Sequence, residues 1–214
     1  MQEKEFLRRI SYGNFGIIEV ICGPMFSGKT EELIRRMKRS EIACQKVVAF
    51  KPKLDNRYHF KKIISHSKQN FFSLTVENSN QIETFFNKSN DKISVLGLDE
   101  AQFFDFNIIK VVERLANKNI RVIVAGLDQD SLSRPFGPMS ELLAIADMVT
   151  KQCAVCVVCG APATKTQRIK YKKKLKGNDE KEAQILIGAS DDYEARCRPC
   201  YVKGLDEPKA RIPL

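Results

Sequence analysis

The chain has 214 residues, of which 43% are apolar, enough for one sizeable core plus a small appended module without disulfides. No run approaches the ~18 uninterrupted apolar residues of a membrane-spanning helix, and the charged start, residues 1–10, lacks the apolar stretch of a signal peptide; a cytoplasmic protein with no membrane partner is expected. The 36 basic and 26 acidic side chains leave a net charge of +10, but charge alone speaks to non-specific attraction rather than to fold, and the basic residues are dispersed except at 170–176, so a nucleic-acid partner is not expected.

Residues 16–22 (GIIEVIC) form an apolar, β-branched run closed by Gly23 and Pro24, which predicts a strand. Residues 31–44 predict a helix, with Leu33, Ile34 and Met37 on one face and Glu31/Arg35 and Glu32/Arg36 spaced i,i+4. Strands follow at 47–50, 93–98 and 120–125, and helices at 81–86, 108–117 and 139–146. The strands do not alternate strongly, which suits a parallel sheet covered on both faces. The succession of strands and helices predicts an α/β fold of the P-loop NTPase kind, an open parallel sheet with helices on both faces. From Lys151 the pattern changes to short segments punctuated by cysteines and charges. The expected division is therefore 1–150, an α/β nucleotide-binding domain, and 151–214, a small zinc-binding module. The lysine-rich stretch from 170 to 181 reads as an exposed loop.

Gly23-Pro24-Met25-Phe26-Ser27-Gly28-Lys29-Thr30 fits G-x-x-x-x-G-K-[ST] and lies between a predicted strand and a predicted helix. Glycines there let backbone N–H groups turn inward around phosphate oxygens, and the helix N-terminus adds positive dipole. Lys29 is then the residue that neutralises the β- and γ-phosphates of ATP, and Thr30 a ligand of Mg²⁺. Asp99-Glu100-Ala101-Gln102 follows the strand at 93–98, and active groups in open α/β sheets lie beyond the carboxyl ends of strands. Asp99 suits a magnesium role. Glu100 suits a general base that takes a proton from an attacking hydroxyl or water.

Cys156-x-x-Cys159 and Cys197-x-x-Cys200 are paired C-x-x-C knuckles separated by 37 residues, a pattern that delivers four thiolates to a structural Zn²⁺. Cys153-x-x-Cys156 is a competing spacing; Cys159-Gly160 is the better knuckle, because glycine after a ligand allows a tight turn. Cys22, Cys44 and Cys153 are read as small apolar residues.

Together these motifs resemble the cytosolic-type thymidine kinase family, the P-loop class with a zinc-bearing lasso domain. The similarity runs from about residue 16 to residue 201 through GPMFSGKT (23–30), FKPKLDNRY (50–58), Ser65-His66, DEAQFF (99–104), GLDQD (126–130), RPFGPMSELLAIAD (134–147), AVCVVCGAPATKTQR (154–168) and YEARCRPCY (193–201). The resemblance implies transfer of the ATP γ-phosphate to the 5′-hydroxyl of thymidine or deoxyuridine, in deoxynucleotide salvage. It implies an ATP site at Gly23 to Thr30, Asp55, Asn56, Arg57 and Asp99 to Gln102, with Glu100 as base. It implies a nucleoside pocket of Met25, Phe104, Leu127, Phe136, Tyr193 and the lasso Gln184, Ile185, Leu186, Ile187 and Gly188. It further implies a homotetramer and feedback inhibition by dTTP. Two features depart from the family. Ser131 stands where an aromatic usually helps wall the base pocket, so either that contact is lost or Leu132 or Phe136 fills the gap. The segment between the cysteine pairs is also longer than usual and carries the lysine run. A nucleic-acid-dependent ATPase with a zinc module is the competing reading, although a helicase motor generally needs two such sheets and this length holds one.

Overall fold

A computed structural model describes residues 16–53, 62–64, 70–169 and 192–201. In chain order the elements are β1 (Ile17–Cys22), α1 (Lys29–Ile42), β2 (Val47–Pro52), β3 (Lys62–Ile64), β4 (Asn70–Phe72), β5 (Leu74–Val76), α2 (Ser79–Lys88), β6 (Val95–Leu98), α3 (Ile108–Asn117), β7 (Arg121–Gly126), α4 (Met139–Ile145), β8 (Met148–Lys151), β9 (Ala154–Val155), β10 (Pro162–Ala163), β11 (Lys165–Arg168) and β12 (Tyr193–Arg196). A short 3₁₀ turn, Ala101–Phe103, follows β6. Six strands make one sheet in the order β5-β2-β6-β7-β1-β8, and every pairing in it is parallel.

The expected α/β architecture is present, and side-chain parity explains it. Along β1, Ile18, Val20 and Cys22 join a core with α2, α3 and α4, through Ile82, Val111, Val112, Leu115, Met139 and Leu142. Ile21 points the other way, into a core with Leu33, Ile34 and Met37 of α1 and with Ile63 and Phe71 of the β3–β4 hairpin. β7 divides likewise, Val122 and Val124 to one face and Ile123 and Ala125 to the other. Both faces are covered, which is why these strands read as continuous apolar runs. Glu19 shares the α1 face and is 1% exposed; Arg36 of α1 and Arg121 of β7 each donate to it at 2.6 Å, so the buried carboxylate is paired twice.

Three features went unseen in the sequence: the edge strands β5 and β8 and the β3–β4 hairpin. Each strand has three or four residues, and β8 alternates half-buried with exposed positions. Short edge segments carry too little apolar pattern to stand out. Among the described residues no helix is long and apolar enough to cross a membrane.

Beyond β8 the chain forms two small antiparallel ribbons, β9–β10 and β11–β12. They share a core of Ala154, Ala163 and Ala195 with Cys156, Cys197 and Cys200, small residues that leave the cysteines to fill the interior.

Candidate active site and metal centre

β1 ends at Cys22 and α1 begins at Lys29; the six residues between them turn the chain back over the carboxyl edge of the sheet. Gly23 has φ 144°, and a Cβ there would lie 2.4 Å from the Gln152 carbonyl oxygen, so only glycine fits. Phe26 and Gly28 are also at positive φ, 65° and 81°. Within this loop Lys29 Nζ donates to Pro24 O at 2.6 Å, and Ser27 Oγ to the same carbonyl at 2.9 Å. Burial pushes the Lys29 ammonium below its ordinary value, while the charges of Glu100, Asp99 and Asp128 partly offset this.

β6 delivers the acids. Asp99 N–H donates to Phe50 O of β2 at 3.1 Å, extending the sheet by one residue. The Thr30 hydroxyl lies 3.4 Å from both Asp99 carboxylate oxygens, so two hard oxygen groups of the kind that could hold a divalent cation are neighbours. Glu100 then leaves the strand with φ 51° and ψ 43°, a left-handed conformation that costs a non-glycine residue ~1–2 kcal/mol. Strain of this kind persists where the surroundings over-determine it. Gln102, 3% exposed, supplies part of that determination: its Nε2 donates to the Glu100 carboxylate while its Oε1 accepts from Leu127 N–H at 2.9 Å. One cavity is lined by residues 25–31 together with Asp99, Glu100, Gly126 and Leu127. The structure thus brings together the phosphate loop, the acid pair and the end of β7.

The remaining expected pocket residues are partly gathered. Leu127 lines the cavity. Phe104 and Phe136 are only 6% and 7% exposed, and Phe136 packs edge-on to Phe103 with ring centres 5.5 Å apart; neither lines the cavity. Tyr193 opens β12 opposite Arg168. Asp55, Asn56, Arg57, Ser65, His66, the lasso residues 184–188 and the lysine run lie outside the described residues.

Asp130 orders its own loop, accepting from Leu132 N–H at 2.8 Å, Arg134 N–H at 2.9 Å and the Arg134 guanidinium at 2.8 Å. Asp128 pairs with Lys151 at 2.7 Å and holds that ammonium above its ordinary value. Burial, with Asp128 beside it, raises the Cys22 thiol to about 11, so it stays a neutral core residue. Cys44 and Cys153 are exposed and do not serve as core residues.

Cys156, Cys159, Cys197 and Cys200 converge, their sulfur atoms all within 4.8 Å of one another. Cys159 Sγ is 3.5 Å from Cys197 Sγ and 3.6 Å from Cys200 Sγ. A tetrahedron of thiolates about 2.3 Å from one ion has edges of about 3.8 Å, so the cluster fits a metal of that kind. The knuckle turn is closed by Gly160 N–H donating to Cys156 O at 2.8 Å, with Gly160 at φ 73°. Burial pushes the Cys156 thiol up, but backbone N–H groups of Cys197, Val158 and Cys159 outweigh it and bring the thiol down to about 6. Cys200 is raised to about 12 by its neighbouring sulfurs and by burial. Four thiolates therefore need a cation to share the site. Cys153 is not part of the group.

Residues that sequence reasoning gave no role also reach the site. Met25 N–H of the phosphate loop donates to Thr166 Oγ1 at 3.1 Å. Lys165 Nζ donates to Gln129 Oε1 at 2.7 Å, and Tyr201 Oη to Ser131 O at 2.7 Å. Thr166 and Lys165 lie in the ATKTQR stretch and Tyr201 closes YEARCRPCY, so motif membership was the available signal.

The thymidine kinase family model matches residues 16–201. A thymidine kinase of Rhodothermus sp. (strain ITI 518) is 47% identical over 189 residues, covering 88% of this chain and 83% of the relative. The match spans the phosphate loop, the acid pair after β6 and both cysteine knuckles, and the chain belongs to the thymidine kinase family.

Proposed function

We propose that the protein transfers the γ-phosphoryl group of ATP to the 5′-hydroxyl of thymidine, releasing ADP and thymidine monophosphate. The observation that carries this reading is the single cavity where residues 25–31 meet Asp99, Glu100 and Leu127. Backbone N–H groups of residues 26–30 and the start of α1 bind the phosphates, and Lys29 offsets charge on the β- and γ-oxygens. Thr30 and Asp99 are the residues that would hold Mg²⁺, which when bound neutralises charge developing on the phosphate oxygens. Glu100, held by Gln102, accepts the 5′-hydroxyl proton as the oxygen bonds to the γ-phosphorus and the bond to ADP breaks. Met25, Leu127 and Tyr193, backed by Phe104 and Phe136, form the nucleoside side with residues 184–188, while Asp55, Asn56 and Arg57 complete the ATP side. The four cysteines would hold structural zinc, whose closed coordination does no chemistry. On this reading residues 1–150 form the nucleotide-binding domain and 151–214 the module over the nucleoside. A homotetramer, a cytoplasmic location and feedback by dTTP belong to the same proposal.

The competing nucleic-acid-dependent ATPase is not favoured, because the family match covers both the sheet and the cysteine module. Incubation with γ-labelled ATP and a panel of nucleosides tests the assignment. Label is expected on thymidine and deoxyuridine and not on deoxycytidine or purine deoxynucleosides. ATP hydrolysis stimulated by single-stranded DNA, with no labelled nucleoside, would overturn it.

A further inference from the structure

Three hydrogen bonds cross from the cysteine module to the loops that bound the cavity. The Met25 N–H, at the third position of the phosphate loop, ends on Thr166 Oγ1 at 3.1 Å, 141 positions along the chain. Thr166 is 6% exposed. Its neighbour Lys165 reaches Gln129 at 2.7 Å, and Tyr201, next to Cys200, reaches the Ser131 carbonyl at 2.7 Å. Lys165 Nζ lies 5.9 Å from the Tyr201 ring centre, so these two contacts also touch each other.

The connection from the cysteine cluster to the phosphate loop is continuous. β12 runs directly into Cys197, and its Ala195 is in register with Thr166 of β11. Arg196, fully buried, pairs with Glu194 at 2.6 Å and donates to Cys200 O at 3.4 Å, fixing β12 to the second knuckle. The Met25 N–H is partly buried, and a backbone N–H withdrawn from water needs an acceptor. In most of a phosphate loop that acceptor is the phosphate, but the Met25 N–H is directed at a hydroxyl carried by the other module.

We propose that Thr166 is a positioning residue for the phosphate loop: its hydroxyl holds the Met25 peptide in the nucleotide-binding conformation, so that ATP binding and docking of the cysteine module are coupled. This rests on the reading of the loop as the ATP site. Without the acceptor, the Met25 peptide has other orientations open to it, and apparent affinity for ATP falls by the fraction of molecules left competent. By linkage, ATP favours the docked module to the same degree.

The test uses full-length, metal-loaded protein titrated with ATP in the absence of any nucleoside, comparing wild type, Thr166→Val and Thr166→Ser. Valine keeps the shape and loses the acceptor; serine keeps the acceptor. Thr166→Val is expected to weaken ATP binding about five- to tenfold, the scale of one lost hydrogen bond, with Thr166→Ser within about twofold of wild type. Metal content should match wild type in both. In nucleotide-free wild type the Met25 amide should exchange with solvent at least about tenfold more slowly than an unstructured amide; this measurement decides the matter alone if Thr166→Val does not fold. ATP affinity unchanged in Thr166→Val, an unprotected Met25 amide, or loss of thymidine affinity with ATP affinity intact overturns the proposal. Wild-type protein that binds no ATP overturns the kinase reading itself.

Discussion

Gln102 and Glu100 form a bracket at the end of β6: the amide nitrogen of Gln102 donates to the Glu100 carboxylate, and its oxygen accepts the Leu127 N–H at 2.9 Å. One side chain thereby ties the candidate base to the residue that opens the nucleoside side of the cavity. Because Glu100 sits at φ 51°, its carboxylate is placed by this bracket as much as by its own backbone.

Gln102→Leu should therefore lower kcat by about tenfold or more, since a misplaced base loses much of its 10²–10⁴-fold contribution. KM for thymidine should change less. Steady-state kinetics read both, and an unchanged kcat would show that Gln102 does not position Glu100.

Metal analysis separates the two possible knuckles. Protein purified without chelator should carry about one zinc per chain, Cys156→Ser should lose it, and Cys153→Ser should retain it. Loss of metal in Cys153→Ser would contradict the convergence of Cys156, Cys159, Cys197 and Cys200.

Glu19 bridges Arg36 and Arg121 beneath α1. Glu19→Gln removes the buried carboxylate that the two guanidinium groups share, leaving Arg36 with Glu32 at 2.8 Å and Arg121 with the Ser40 hydroxyl at 3.1 Å, and should destabilise the fold by about 3 kcal/mol. Urea unfolding at neutral pH measures it; a loss below about 1 kcal/mol would make the pair energetically idle.

Asp105 ties the turn after β6 to α2, accepting from Ser79 N–H and Ser79 Oγ at 2.7 Å each and from Asn107 N–H at 3.1 Å. Partial burial pushes its carboxyl up, but the Ser79 and Asn107 bonds outweigh this and hold it below its ordinary value. A depressed folded pKa gives stability that is present above the unfolded value of about 3.9 and is lost as pH falls through the folded pKa. The stability gap between wild type and Asp105→Asn should accordingly be full at pH 6 and shrink towards pH 3. A gap independent of pH would mean that the carboxylate charge is not what Ser79 recognises.

Contiguous chemistry was the legible part of the sequence. The phosphate loop, the acids after β6 and the cysteine knuckles each declare themselves because one local geometry demands those residues in a row. The central strands were legible because burial on both faces makes them uniformly apolar, whereas β5 and β8 are short edges and were not. Long-range pairing is what a sequence hides. Nothing in ATKTQR says that Thr166 meets Met25, or in YEARCRPCY that Tyr201 meets Ser131, since both contacts depend on how two modules fold against one loop.

Glu100 is the proposed base of phosphoryl transfer to thymidine, and Glu100→Gln tests that role most directly. Equilibrium titration should give ATP and thymidine affinities close to wild type, because glutamine keeps the size and the hydrogen-bonding reach of the side chain. Single-turnover transfer of label from ATP to thymidine should fall by about 10²-fold or more, the scale of a lost general base. Near wild-type transfer by Glu100→Gln, with both substrates bound, would contradict the assignment of Glu100 and with it the mechanism.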